Sequence, residues 1–212
     1  MGKFSLVIFD LDGTLVDAYP AIIRSFNFTM RRFGYALQGA SVIRRAVGWG
    51  DENLLRPFVE TPDLKKALLA YRRHHKKSLV NYSRLLPGAK KVLTYLKNND
   101  YKIAVASNRP TRFSWILIRH LGLERFFDYV LCADKLRFGK PHPQILRKIM
   151  QRLSIPSGRT AYVGDMAIDA QAGSRARVAT IIVTTGSSRL SEIKKEKPRH
   201  IISKISDLLR IL

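Results

Sequence analysis

With one cysteine, Cys132, in 212 residues, the chain can form no internal disulfide and is expected to belong in a reducing compartment, the cytoplasm. Set in the apolar run YVLCA, that cysteine reads as a small buried hydrophobe. No apolar stretch approaches the ~20 residues of a membrane span, so a membrane partner is not expected. The opening MGKFSLVIFD lacks the charged, apolar, then small-residue order of a signal peptide. Leu6 also stands where a myristoylation pattern requires Ser or Thr. Internal repeats and low-complexity linkers are missing as well, which argues against a solenoid or a disordered tether. Acidic residues are scarce: 16 Asp and Glu face 38 Lys and Arg, a formal charge of +22 with pI near 10.6. Such a surface attracts polyanions, although it can equally serve solubility.

What is present is enough apolar residue, 46%, to bury a core as one domain with an insertion. Lys3–Phe9 reads as a short buried strand. From Asp17, Ile22, Ile23, Phe26, Met30 and Phe33 recur at helical spacing and stop at Gly34. The stretch to Leu85 stays helical, with no strand-like run. After Pro87-Gly88 the pattern alternates. Strands are expected at KIAVAS (102–107), YVLCA (129–133), TAYVGD (160–165) and VATIIVT (178–184), with helices between them. Strands alternating with helices imply βαβ units and a parallel sheet. The expected architecture is therefore α/β: a Rossmann-like core from 1–16 and 86–212, interrupted after its first strand by a helical cap over 17–85.

Ligands in such folds collect where the strands' carboxyl ends emerge. The first strand runs into Asp10 and Asp12, the second into Ser107-Asn108 and the fourth into Gly164-Asp165. Lys140 follows the third within a few residues. Asp10, Asp12, Asp165 and Asp169 would repel one another unless a cation joined them, and hard oxygen ligands suit Mg²⁺. Asp10 and Asp12 are thus expected to face a metal and a phosphoryl group. A carboxylate can attack phosphorus and split one displacement into two. A second carboxyl two residues along can protonate the leaving oxygen and later deprotonate water. Ser107, Lys140 and the N–H groups of the Asp12-Gly13 turn can offset charge on the phosphoryl oxygens.

DLDGTL at 10–15, SN at 107–108, Lys140 in GKPHP and GDMAID at 164–169 resemble, in order, the four signature motifs of the haloacid dehalogenase superfamily. The helical insert resembles the small cap of its phosphoglycolate phosphatase and β-phosphoglucomutase branch. Five fixed residues in D-x-D-G-T-L arise by chance at on the order of one starting point in a million. The resemblance implies a Mg²⁺-dependent phosphatase with Asp10 as nucleophile and Asp12 as general acid and base. Asp10, the Asp12 carbonyl and Asp165 would ligate the metal, with Asp169 supporting them. Gly13, Ser107, Asn108 and Lys140 would lie with the phosphate, although Asn108 could equally stabilise the turn after its strand. The implied partner is a small phosphorylated metabolite such as phosphoglycolate.

A phosphomutase would use the same acids. A nucleic-acid-binding protein, or a phosphatase of nucleotide ends, would better exploit the charge. The basic clusters at 31–33, 72–77 (RRHHKK) and 194–197 (KKEK) therefore carry an expectation of weak, sequence-independent nucleic-acid binding, remote from the site. Within RRHHKK, His74 and His75 are expected to be solvated. Asp17 is expected to cap the next helix. Arg44, Arg45, Trp49 and Asp51 around VGWG are expected at the cap surface. Arg177 occupies a position where members of the resembled family often carry glycine.

Overall fold

The computed structural model of the protein describes residues 4–212, so Lys3 of the expected first strand lies outside it. Strand β1 (Leu6–Phe9) is buried at every residue. Tall apolar residues on both faces of a strand are what a parallel sheet covered on both sides requires. Leaving β1, the chain makes a two-residue strand β2 (Val16–Asp17). Four helices follow: α1 (Tyr19–Arg32), α2 (Ala40–Ala46), α3 (Asp51–Leu55) and α4 (Thr61–Tyr82). Strand β3 (Arg84–Leu85) returns antiparallel to β2, so this small ladder clamps the two ends of the helical insert together.

The remaining chain alternates as expected. It runs through α5 (Ala89–Asn98), β4 (Lys102–Ser107), α6 (Thr111–His120), β5 (Tyr129–Cys132), α7 (Gln144–Leu153), β6 (Thr160–Gly164), α8 (Ala167–Ala176), β7 (Ala179–Val183), α9 (Leu190–Lys195) and β8 (His200–Ile202). Six strands form one parallel sheet in the order β5-β4-β1-β6-β7-β8. Side-chain alternation sorts the core into two layers. Val7, Phe9, Ile103, Val105 and Val163 pack with α5, α6 and the insert, whereas Leu6, Ile8, Ala104, Ala106 and Tyr162 pack with α7 and α8. Helices α1 and α4 join through Ile22, Phe26, Met30, Leu68 and Tyr71, which belong to the first layer. Among the described residues no helix is long and apolar enough to cross a membrane.

Three local features depart from expectation. Asp17 lies in β2, and its Oδ1 accepts the Tyr19 N–H at 3.2 Å, one position before the cap of α1. Strand β8 and helix α9 carry too few apolar residues to show a period: HII and LSEIKK sit between charged residues, and β8 has only three residues on the sheet edge. Arg177, which ends α8, takes φ +60° and ψ 37°. That left-handed turn costs a side-chain-bearing residue roughly 1 kcal/mol and costs glycine nothing. Arg177→Gly is therefore expected to raise the melting temperature by about 2–4 °C. An unchanged or lower midpoint would show that the Arg177 side chain compensates for its backbone.

Candidate active site

β1 lies between β4 and β6, so the chain departs from it to opposite sides of the sheet, and a crevice opens beyond its carboxyl end. The Asp10 N–H donates to Val163 O at 2.9 Å, which continues the ladder one step and sets the side chain at the mouth of that crevice. Ser107 closes β4, Asp165 follows β6, and Lys140 enters from the loop before α7. All four side chains are buried. The sheet thus gathers the separate motifs in one place.

Lys140 is the hub. Its Nζ donates to Asp169 Oδ1 at 2.8 Å and to Tyr162 Oη at 3.1 Å, and it stands 2.9 Å from Asp10 Oδ1. Burial works against the ammonium, but Asp10 and Asp169 outweigh it and hold its pKa above the ordinary lysine value. Asp169 is completely engaged. Oδ1 also accepts from Tyr162 Oη at 2.6 Å, and Oδ2 accepts the N–H groups of Asp165 (3.2 Å) and Met166 (3.0 Å).

Asp10 and Asp165 are the opposite case. Thr14 Oγ1 donates to Asp165 Oδ1 at 2.9 Å. Asp165 Oδ2 and Asp10 Oδ1 are buried yet accept no aligned hydrogen bond among the described residues. Burial, then Asp169 and Asp10, push the Asp165 carboxyl well above its usual range. Burial likewise raises Asp10, against the pull of Lys140, to about 6. Oxygens of Asp10, Asp165 and Asp169 lie within 4.8 Å of one another. Buried carboxylate oxygens left without donors, in an all-oxygen set, fit a hard divalent cation. Gly13 (φ +82°) and Gly186 keep that position open, because a Cβ on either would overlap Asp165 Oδ2.

Several sequence expectations need correction. Asp12 was expected to face a metal through its carbonyl and to serve a phosphoryl group as general acid and base. Its carboxylate instead pairs side-on with Arg109, Nε to Oδ2 and Nη2 to Oδ1, both at 2.8 Å. The Gly13 N–H, expected at a phosphate, donates to Val16 O at 2.8 Å within its own turn. Asn108 spends its side chain on structure: Nδ2 donates to Gly48 O (2.8 Å) and Lys140 O (2.9 Å), and Oδ1 accepts the Lys140 N–H (2.8 Å). His75 is not solvated but buried, with Nε2 2.7 Å from Arg109 Nη1. His74 is half-buried and stacks on Phe28 at 4.1 Å. One face of RRHHKK therefore belongs to the site, while Arg73, Lys76 and Lys77 face solvent.

The insert closes over this crevice. Arg45 pairs with Glu192 at 2.6 Å, Arg44 stacks over the Tyr19 ring at 3.9 Å, and Asp51 pairs with Arg72 at 2.6 Å, whereas Trp49 stays exposed. The cavity, open on one side, measures about 60 Å³ and is lined by Asp10, Asp12, Ser107, Arg109 and Lys140, with Ile22, Val47, Leu54, Phe113 and Ile168 among its apolar residues. Arg109, Tyr162 and Gly186 were not singled out from the sequence, Thr14 entered only as part of DLDGTL, and His75 only as a solvated residue. Of the first three, Arg109, beside Ser107-Asn108, had a local signal.

Comparison with known proteins agrees with this geometry. The family model of haloacid dehalogenase-like hydrolases matches residues 7–183. A phosphoglycolate phosphatase of Haemophilus influenzae is 30% identical, over 99% of this chain and 99% of its own. One of Rhodobacter capsulatus is 34% identical, over 85% of this chain and 84% of its own. The crystal structure of a predicted phosphoglycolate phosphatase from Haemophilus somnus superposes with a TM-score of 0.94 at 26% identity, covering 100% of this chain and 99% of that one.

The acid cluster predicts a linked stability effect. A carboxyl raised on folding supports the fold below its unfolded pKa and loses that support as pH climbs through its folded value. Metal-free protein should therefore lose stability between about pH 4 and pH 6, the upper end being where Asp10 ionises. Asp165→Asn should raise the metal-free melting temperature at pH 7.5 by roughly 2–8 °C and abolish the further rise that Mg²⁺ gives the parent protein. A variant that melts lower, or still responds to Mg²⁺, would exclude Asp165 from a cation site.

Proposed function

The chain belongs to the haloacid dehalogenase-like hydrolase family, and from that premise we infer that it is a phosphatase acting on a small phosphomonoester through Asp10. The observation that carries this reading is the buried Asp10 carboxylate, whose Oδ1 accepts no aligned hydrogen bond among the described residues yet stands 2.9 Å from the Lys140 ammonium. A carboxylate so placed can attack phosphorus, forming an acyl phosphate as the bond to the leaving oxygen breaks. Asp12, two residues on, gives that oxygen a proton and later takes one from the water that releases phosphate. Each Asp12 oxygen accepts one bond from Arg109 and keeps a second lone pair at which Asp12 can carry a proton. Lys140 and Ser107 hold phosphoryl oxygens.

Asp10, the Asp12 carbonyl and Asp165 would hold the cation, Mg²⁺ in this reading, which offsets phosphoryl charge when bound. Asp169, with both oxygens committed to donors, fixes Lys140 and the Asp165 backbone in place. Core (1–16, 86–212) and cap (17–85) act as separate parts, the core holding the phosphoryl group and the cap enclosing the leaving group. The small cavity supports a compact leaving group, and the phosphoglycolate phosphatases among the relatives make phosphoglycolate the leading substrate. Cytoplasmic residence belongs to the same proposal and rests on the single buried cysteine.

A screen of phosphomonoesters for phosphate release, with and without Mg²⁺, tests this reading. Asp10→Asn should abolish turnover while the protein still folds. Asp12→Ala should lose ~10²–10⁴-fold on alkyl phosphates and less on p-nitrophenyl phosphate, whose leaving group needs no proton. Phosphate release by folded Asp10→Asn protein would refute the covalent route.

For the surface charge we propose only weak nucleic-acid binding. The solvent-facing cations Arg73, Lys76, Arg112 and Arg119 share a groove with Trp115 that adjoins the cavity only through Phe113. Binding to single-stranded DNA should weaken with log[salt] at a slope of about −0.7 per phosphate contacted. Replacing Lys76, Lys77, Lys194 and Lys195 with Gln should reduce it without changing kcat/KM for a small ester. Binding that persists at ~0.2 M salt would point instead to a nucleic-acid role.

A further inference from the structure

Among the described residues Arg109 and Lys140 are the only cations lining the cavity, and they are committed differently. Lys140 is enclosed by Asp10, Asp169 and Tyr162 on the phosphoryl side. Arg109 lies on the other side of the pair, against Asp12 and the insert. A guanidinium has five N–H groups. Asp12 takes one from Nε and one from Nη2, and His75 takes one from Nη1. One N–H on each terminal nitrogen is left over, in a side chain only 6% exposed. Buried guanidinium N–H groups seek acceptors, and the remaining cavity wall sets the apolar Ile22, Val47, Leu54 and Phe113 beside Asp51 and Tyr71. Among the described residues Arg109 bonds only to Asp12 and His75 through its side chain, so the two remaining N–H groups are open to an acceptor on a ligand.

The ring that steadies Arg109 is itself fixed. Ser25 Oγ donates to Ala21 O at 2.8 Å, so its lone pairs face His75 Nδ1 at 3.1 Å, and Nδ1 carries the proton. Nε2 is then a bare acceptor for the Arg109 Nη1–H. Tyr71 stacks on the ring at 4.9 Å, and Phe113 meets its edge at 5.4 Å. Neutral His75 can only accept at that atom, so it orients the guanidinium without adding charge.

From this arrangement we infer that Arg109 reads an anionic group on the leaving side of the substrate, a carboxylate close to the ester oxygen, and that His75 on the insert is its positioning residue. The inference rests on the phosphatase reading above. Distance sets the class. Asp12 serves the ester oxygen, and Arg109 is one hydrogen bond, 2.8 Å, from Asp12. The anion must then sit within a few bonds of that oxygen, as in the phosphate esters of short 2-hydroxy acids. A planar carboxylate matches the guanidinium fork, whereas an alkyl chain would leave its N–H groups unpaired in a dry cavity.

Steady-state kinetics with Mg²⁺ on 2-phosphoglycolate and on ethyl phosphate, which lacks the carboxylate, measures the preference as a ratio of kcat/KM values. The parent protein should favour phosphoglycolate by about 10²-fold or more, and Arg109→Gln should bring the ratio close to one. His75→Leu should lower the ratio about tenfold, chiefly through KM, and His75→Gln, which restores an acceptor, should recover most of it. If Arg109→Gln is too slow to assay, the same comparison is made by binding of both esters to Asp10→Asn protein with and without Arg109→Gln. A parent ratio near one, or equal losses on both esters in Arg109→Gln, would overturn the inference and leave the phosphatase reading standing. No phosphate release from any monoester would overturn both.

Discussion

Three buried carboxylates, Asp10, Asp165 and Asp169, face one buried ammonium, that of Lys140. The rest of the site follows from that imbalance. Two like charges ~4 Å apart repel by about 4 kcal/mol at an effective dielectric of ~20, so three cannot ionise together beside a single cation without heavy cost. The protein answers in two ways. Asp169 is saturated with donors from Lys140, Tyr162 and two backbone N–H groups. Asp10 and Asp165 each keep an oxygen unsatisfied, and their raised pKa values record the penalty. The result is a place poised for a cation and an electrophile, built at the expense of stability.

Charge balance also explains how the helical insert meets the core. Asp12 sits beside this cluster and is neutralised by Arg109, which is in turn held by His75 from α4. Asn108 ties the Gly48 carbonyl of the insert to the loop that carries Lys140. Adjacent residues on one turn after β4 thus connect Lys140, Asp12 and the insert. The insert and the Asp12 side chain share one connected set of hydrogen bonds.

The large positive charge stands apart from this chemistry. The cavity is lined by two cations and four acids, Asp10, Asp12, Asp51 and Asp169, so the excess lies on the outer surface. There it can attract anions at long range, but it does not contribute to the geometry of the reacting groups. Even so, the basic run at 72–77 could not be divided by inspection of the sequence. On a helix, His75 and Lys76 point about 100° apart, and only packing against α1 and Phe113 decides which one is buried.

The parallel sheet was legible because strands covered on both faces are apolar throughout and are separated by helical periods. The candidate acids were legible because polar residues at the ends of such runs have few other reasons to be there. These are local properties, and the sequence determined them by itself: the α/β core, the insert after the first strand, and Asp10, Ser107, Lys140 and Asp165 as one set. Edge strand β8 escaped because three residues carry no period. What only the tertiary structure decided was partnership. Whether Asp12 faces a metal or Arg109, whether the Asn108 side chain is free or spent, and whether His75 is wet or buried all depend on contacts across roughly 30 to 100 residues of chain. Hydrogen bonds and ion pairs have angles and a short reach, and a linear pattern encodes neither.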